Sequence, residues 1–158
     1  MINKELDDVD HGILSLLQKD SRIFHKDIAM RLHKSVTAIH TRIRNLEAEG
    51  YIKSYTVIVD HKKIGKPLIA YTQVTIKEHS QESLTAFRNE AIKLNEVMEC
   101  CHMTGDFDFL LRIAIRDMDE YNEVLMNKLS RLPDVGKMQS FFVMSEAKRE
   151  TAYVTGNK

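Results

Sequence analysis

A change of hydrophobic period near residue 60 constrains this chain more than any other feature. Before it, apolar residues recur every three or four positions: Leu6, Val9, Ile13, Leu16 and Leu17, then Ile28, Ala29 and Leu32, then Val36, Ile39, Ile43 and Leu46. After Pro67 the spacing drops to two, with Leu68, Ala70, Val74 and Ile76 on one face. A period near 3.6 lines one side of a helix and a period of 2 lines one side of a strand, so the halves build different architecture. With 158 residues the chain has room for two small domains. The expectation is an α+β protein divided into residues 1–60 and 61–158.

The first half predicts three helices. Gly50 is placed to stop the third, because glycine accepts the left-handed conformation that often ends a helix. Tyr51 to Val59 is rich in β-branched and aromatic residues and reads as a strand-like connector. His61 to Pro67 is a breaker. The second half then predicts a strand, a helix capped by Ser80 with Leu84, Phe87, Ala91 and Leu94 at helical spacing, and strands over Val97 to Met103 and Phe107 to Ile115. Asp117 and Glu120 have the types of a capping box for a helix that stops before Pro133. Val135 to Met144 closes the set as a fourth strand. The order β-α-β-β-α-β is the ferredoxin-like split βαβ, with both helices on one face of an antiparallel sheet.

Residues His25 to Arg44 read as two short helices joined by a tight turn, with Ser35 as cap of the second. Its apolar stripe leaves Thr37, Ala38, His40, Thr41, Arg44 and Asn45 outward. Such a pair suits DNA reading, since the second helix can enter the major groove while the first crosses the backbone. The whole chain has zero net charge, yet Ser21 to Leu46 holds Arg22, Lys26, Arg31, Lys34, Arg42 and Arg44 against Asp27 alone, an excess of five positive charges. A local basic patch binds phosphate even on a neutral molecule. The acids Glu5, Asp7, Asp8 and Asp10 are then expected to point away. An ordinary helical domain with a solvated polar face fits the same spacing.

Thr104 to Phe109, T-G-D-F-D-F, reads as the hairpin between the second and third strands. Its two acids, Asp106 and Asp108, beside turn amides also suit a zwitterion such as an amino acid, with the carboxylates taking the ammonium. Cys100 and Cys101 are adjacent, so on a strand they face opposite ways and cannot share one metal ion without distortion. Buried, inert thiols are expected there, and no metal site or cofactor. His25, His33 and His40 are poorly spaced as ligands. No nucleophile elbow, phosphate-cradling glycine loop or H-E-x-x-H motif is present, so catalysis is not expected. Hydrophobic content of 43% and charged content of 29% describe an ordinary globular chain, and no apolar run suits a membrane helix. The acidic N-terminus lacks the apolar core of a secretory signal, which makes the cytoplasm the expected compartment.

Taken in order, the motifs resemble those of the Lrp/AsnC, or feast/famine, regulators over roughly Leu6 to Arg149. They are L-D-x-V-D-x-x-I-L-x-x-L from Leu6, Arg22, D-I-A at Asp27, Ser35, R-I-R-x-L-E-x-E-G-Y-I from Arg42, and Ser54-Tyr55. The second half adds T-G-D-F-D-F-L-L from Thr104, D-M-D-E-Y from Asp117, R-L-P-D-V from Arg131 and F-F-V-M-S-E from Phe141. The resemblance implies a helix-turn-helix DNA reader, followed by a ligand-sensing domain that dimerises through its sheet and often builds octamers. Arg22, Lys26, Lys34 and Arg44 are then expected to carry phosphate contacts and Thr37, Ala38, His40 and Thr41 to approach base edges, with His25, Ser35 and Val36 completing the DNA-binding set. A small, amino-acid-like effector is implied at Thr104, Gly105, Asp106 and Asp108, with Met118, Phe141, Phe142 and Val143 lining or coupling its pocket.

One departure stands out. The family usually places Gly-Leu in the turn of the helix-turn-helix, where this chain has His33-Lys34. A non-glycine residue with positive φ costs on the order of 1 kcal/mol, so this turn is expected to be strained or reshaped, altering which operators are read. An effector-independent DNA-architectural protein, or an amino-acid-sensing module for a protein partner, remain alternative readings.

Overall fold

The computed structural model describes residues 5–155 and resolves them into two units. The first holds the described residues up to Ile58 together with the tail from Lys148; the second is Val59–Ala147. The division near residue 60 was expected. The return of the tail to the first unit was not, since residues after 61 were assigned together.

In the first unit, α1 (Asp8–Lys19), α2 (His25–Arg31) and α3 (Val36–Ala48) bury Ile13, Leu14, Leu17, Ile28, Ala29, Ile39, Ile43 and Leu46 against one another. Asp7 caps α1 by accepting from the backbone N–H groups of Val9 and Asp10, and Asp10 returns a carboxylate to the Asp7 N–H. These contacts satisfy donors the helix cannot satisfy itself. The last turn of α2 closes with His33 N–H on Met30 O and Lys34 N–H on Ala29 O, the paired bonds of a Schellman ending. That motif demands a left-handed residue, and His33 supplies it at φ +51°. Gly50 does the same after α3 at φ +78°.

The second unit is a four-stranded antiparallel sheet: β1 (Leu68–Ile76), β2 (Val97–His102), β3 (Phe109–Ile115) and β4 (Val135–Phe142), in spatial order β2-β3-β1-β4. Helices α4 (Gln81–Ala91) and α5 (Met118–Asn127) cover one face. Phe87 and Ala91 from α4 and Tyr121 and Val124 from α5 pack on Ala70, Val74, Phe109, Leu111, Ile113 and Ile115. Within that core Thr72, Tyr121 and Ser140 join their hydroxyls, so no polar atom among the three is stranded. The β1–β4 register slips between Val74 and Ile76. A Cβ on Gly136 would stand 2.9 Å from the Thr75 carbonyl oxygen, so only glycine allows that close approach.

Two expectations about elements change. Residues 53–60 form no strand: an extended segment needs a neighbour for its backbone groups, and no strand of the described residues pairs with it. Glu120 reaches past the Asp117 cap to the Arg116 N–H and to Lys66 Nζ at 2.7 Å, so it ties the β1 entry to α5 instead of closing a capping box. The adjacent cysteines do face opposite ways, with Cys100 half-buried toward the helices and its thiol pushed up by burial. Cys101, expected to be buried, is exposed on the other face.

Candidate functional site

Along α3 each residue turns about 100° from the last, which sorts its outward side chains into three bands. His40 and Arg44 form a basic edge, Thr37 and Thr41 the centre, and Ala38, Asn45 and Glu49 the opposite edge. Ser35 Oγ accepts from Ala38 N–H at 3.2 Å and starts the helix where the turn delivers it. The residues expected to meet DNA are almost all on the surface: Arg22, Lys26, Lys34, Ser35, Val36, Thr37, His40, Thr41 and Arg44 are exposed, with His25 and Ala38 partly buried. Thr41 donates its hydroxyl to Thr37 O at 3.1 Å, leaving its oxygen lone pairs outward. The rings of His25 and His40 lie 5.4 Å apart, so α2 steadies the basic edge of α3.

Arg42 leaves the expected basic patch. Its Nη1 binds Asp7 Oδ2 at 2.8 Å and Asp10 Oδ1 at 2.7 Å, clamping α3 to the start of α1. The Asp10 backbone N–H and then the Arg42 guanidinium hold the Asp7 carboxyl down to about 2. These acids therefore do not simply point away: Glu5 and Asp10 line a groove of about 520 Å³ against Thr37, Ala38, Thr41 and Asn45. His40 and Arg44 make one flank of α3 basic, while Glu5, Asp10 and Glu49 line the other together with Arg42. Sequence spacing showed Asn45 facing out but gave no sign of this acidic bank, which comes from outside the helix.

The expected effector residues separate into two groups. Thr104, Gly105, Asp106 and Asp108 sit at the β2–β3 turn, before β3 begins. Met118 follows the far end of β3, Val143 neighbours Ile69 near that end, and Phe141 neighbours Tyr71, which faces Arg112 midway along β3. Along β3, Phe141 is therefore about three strand steps from Phe109, roughly 10 Å, and Met118 is farther still. Phe142 points into the helix-covered core, edge-on to Tyr121 with ring centroids 4.9 Å apart. Asp108 is already engaged: Oδ2 accepts from Ile76 N–H and Oδ1 meets His79 Nε2, each at 2.7 Å. Asp106 is exposed and carries no such contact among the described residues.

On the face away from the helices, Gln73, Thr75, Asp106, Phe107, Lys137 and Gln139 line a pocket of about 260 Å³. Only Asp106 of these was among the expected residues. The others lie on β1, on β4 and within the turn, and alternation alone marks them as outward, not as neighbours. Among the described residues, no helix is long and apolar enough to cross a membrane.

Comparison with known proteins agrees with the two-unit reading. Residues 6–53 match the winged helix-turn-helix DNA-binding family, and residues 69–153 match the Lrp/AsnC ligand binding domain. The leucine-responsive regulatory proteins of Klebsiella pneumoniae and Escherichia coli are each 34% identical to this chain over 151 residues, 96% of it and 92% of each relative. A transcriptional regulator of Neisseria meningitidis, solved in complex with L-Met, superposes with a TM-score of 0.89 at 27% identity, covering 94% of this chain and 96% of its own. Escherichia coli AsnC shares the fold at a TM-score of 0.87 and 22% identity, over 94% of this chain and 98% of AsnC.

Proposed function

This chain belongs to the Lrp/AsnC family of transcriptional regulators, with a DNA-binding and a ligand-binding domain, and from that membership we propose which surfaces do each task. Helix α3 reads operator DNA. Thr37 and Thr41 approach base edges at its centre, with Ala38 and His40 beside them. Arg44, Lys34, Lys26 and Arg22 hold phosphates, and His25, Ser35 and Val36 border the contact. The observation that carries this is the presentation of α3, buried on Ile39, Ile43 and Leu46 while its hydroxyl centre and basic edge stay exposed. Arg44→Ala is expected to weaken operator binding several-fold in a gel-shift titration and to lower the salt slope by about one released ion. Unchanged affinity and slope would remove this face from the interface.

A small amino-acid-like effector acts on the second unit, modulating DNA binding or assembly, without a cofactor or metal. Asp106 is the carboxylate of the turn that, among the described residues, has no partner and can take its ammonium. The protein works on DNA in the cytoplasm as a homo-oligomer. A second copy covers the sheet face opposite the helices, which exposes Phe141 at 48% beside Tyr71. Light scattering on Phe141→Asp is expected to show a smaller assembly than the native chain; equal masses would place the contact elsewhere.

A further inference from the structure

The seven histidines of the chain differ in what they touch. His61 Nδ1 meets Lys66 O, His79 meets Asp108, and His102 stacks on Phe109. His25 and His40 meet each other. His25 opens α2 and His40 sits within α3, and packing of the two helices brings their ring centroids to 5.4 Å with the planes tilted by 46°. Among the described residues neither ring has a hydrogen-bond or ion-pair partner. His40 is exposed and His25 partly buried, so ions in solvent can reach the pair.

We propose that His25 and His40 chelate a divalent transition-metal ion, zinc best of all, and that the ion strengthens DNA binding by giving an open position to a phosphate oxygen. The proposal rests on the reading of α3 as the helix that meets DNA. Zinc holds an imidazole nitrogen at about 2.0–2.1 Å, which puts the ring centroid about 3.2 Å from the metal. Two such rings at a tetrahedral angle have centroids about 5.2 Å apart, close to the 5.4 Å of this pair. A face-to-face stack would send the ring nitrogens past one another. The 46° tilt lets modest rotation about the soft terminal torsion turn one nitrogen of each ring toward a common point. Imidazole suits zinc, copper and nickel, whereas magnesium and calcium demand oxygen ligands that the pair does not offer. Among the described residues no third histidine, cysteine or carboxylate completes the set, so positions on the ion stay open, unlike those of a closed structural site. The pair lies on the basic edge with Arg44, beside the Thr37 and Thr41 centre. A dication there adds to the attraction for the DNA backbone and leaves the central base contacts open. Spacing along the chain hid the pair, because its members belong to different helices.

Zinc titration of the untagged full chain, in competition with a chromophoric chelator, tests the site without DNA. One ion is expected at the pair, and His25→Gln or His40→Gln should each weaken it about tenfold or more. Cys101→Ser, which removes the exposed thiol of the second unit, should leave that affinity unchanged. Zinc affinity should fall from about pH 7.5 to about pH 5.5, because protons compete for the imidazoles. The second readout is affinity for a duplex that the chain selects from a random pool in the presence of chelator. Zinc is expected to raise it about threefold or more in the native chain and not in His25→Gln, whatever that variant's own affinity, while magnesium raises neither. Zinc binding that survives both histidine variants, or that disappears in Cys101→Ser, would overturn the proposal. So would zinc that binds at the pair and leaves DNA affinity unchanged or lowered. If the chain selected no duplex with or without zinc, the reading of α3 itself would fall, and the proposal with it.

Discussion

His33 holds φ at +51° without the freedom of glycine, because the two hydrogen bonds ending α2 require that conformation. Its side chain is exposed, so no packing contact obviously offsets the strain. His33→Gly is therefore expected to stabilise the first unit by about 0.5–1 kcal/mol, less the entropy glycine adds to the unfolded chain. A thermal melt that drops on this substitution would mean that the imidazole makes a contact of its own. The turn is strained, as the residue types implied, but it is not reshaped: the Schellman geometry survives with histidine in the left-handed position. Asp108 shows the opposite case. Its residue type and its place beside Gly105 suggested a ligand contact, yet Ile76 and His79 claim it from parts of the chain some thirty residues earlier. Local spacing could not reveal partners so remote.

At the scale of elements, the helices and strands followed from periodicity and caps, and their positions agree with the expected spans to within a few residues. What periodicity missed was how elements are tied. The Arg42 clamp joins α3 to α1 through Asp7 and Asp10, so the angle of α3 depends on two carboxylates outside it. Because the folded Asp7 carboxyl sits at about 2, below its ordinary value near 3.8, it stabilises the fold above pH 4. That contribution fades as the pH falls from about 4 toward 2. Asp7→Asn is thus expected to melt below the native chain at pH 7 and to converge with it near pH 2. A melting gap of constant size across that range would show that the cap, not the charge, matters. The segment Tyr51 to Val59 had the composition of a strand, but residues 53–60 find no partner strand within the described chain. Composition sets a preference for extended backbone, whereas a strand needs a neighbour.

For the whole molecule, the chain leaves the first unit after Ile58 and returns to it from Lys148. The return is held by Gln18, whose side chain donates to Tyr153 O at 3.0 Å and accepts from Tyr153 N–H at 2.7 Å. Thr155 Oγ1 adds a bond to His11 O at 3.2 Å. Truncation after Ala147 is expected to destabilise the first unit by about 1–2 kcal/mol while leaving the second unchanged. Hydrogen exchange resolved along the chain would check it; protection lost equally in both units would refute the assignment. The separated effector residues belong to this scale too. Those at the turn, at Phe141 and at Met118 stand at successive heights along β3.

The sequence by itself determined the two architectures, the outward hydroxyl and basic side chains of α3, and the strained turn before it. Each of these depends on residues within a turn or two of one another, where spacing dictates which side chains share a face. Only the tertiary structure decided that Arg42 is a clamp, that Asp108 is taken, that the tail returns to α1, and that Lys137, Gln73 and Gln139 surround Asp106. Those are contacts between residues distant in the chain, and their partners are chosen by packing and by the need to pair every buried charge and backbone group.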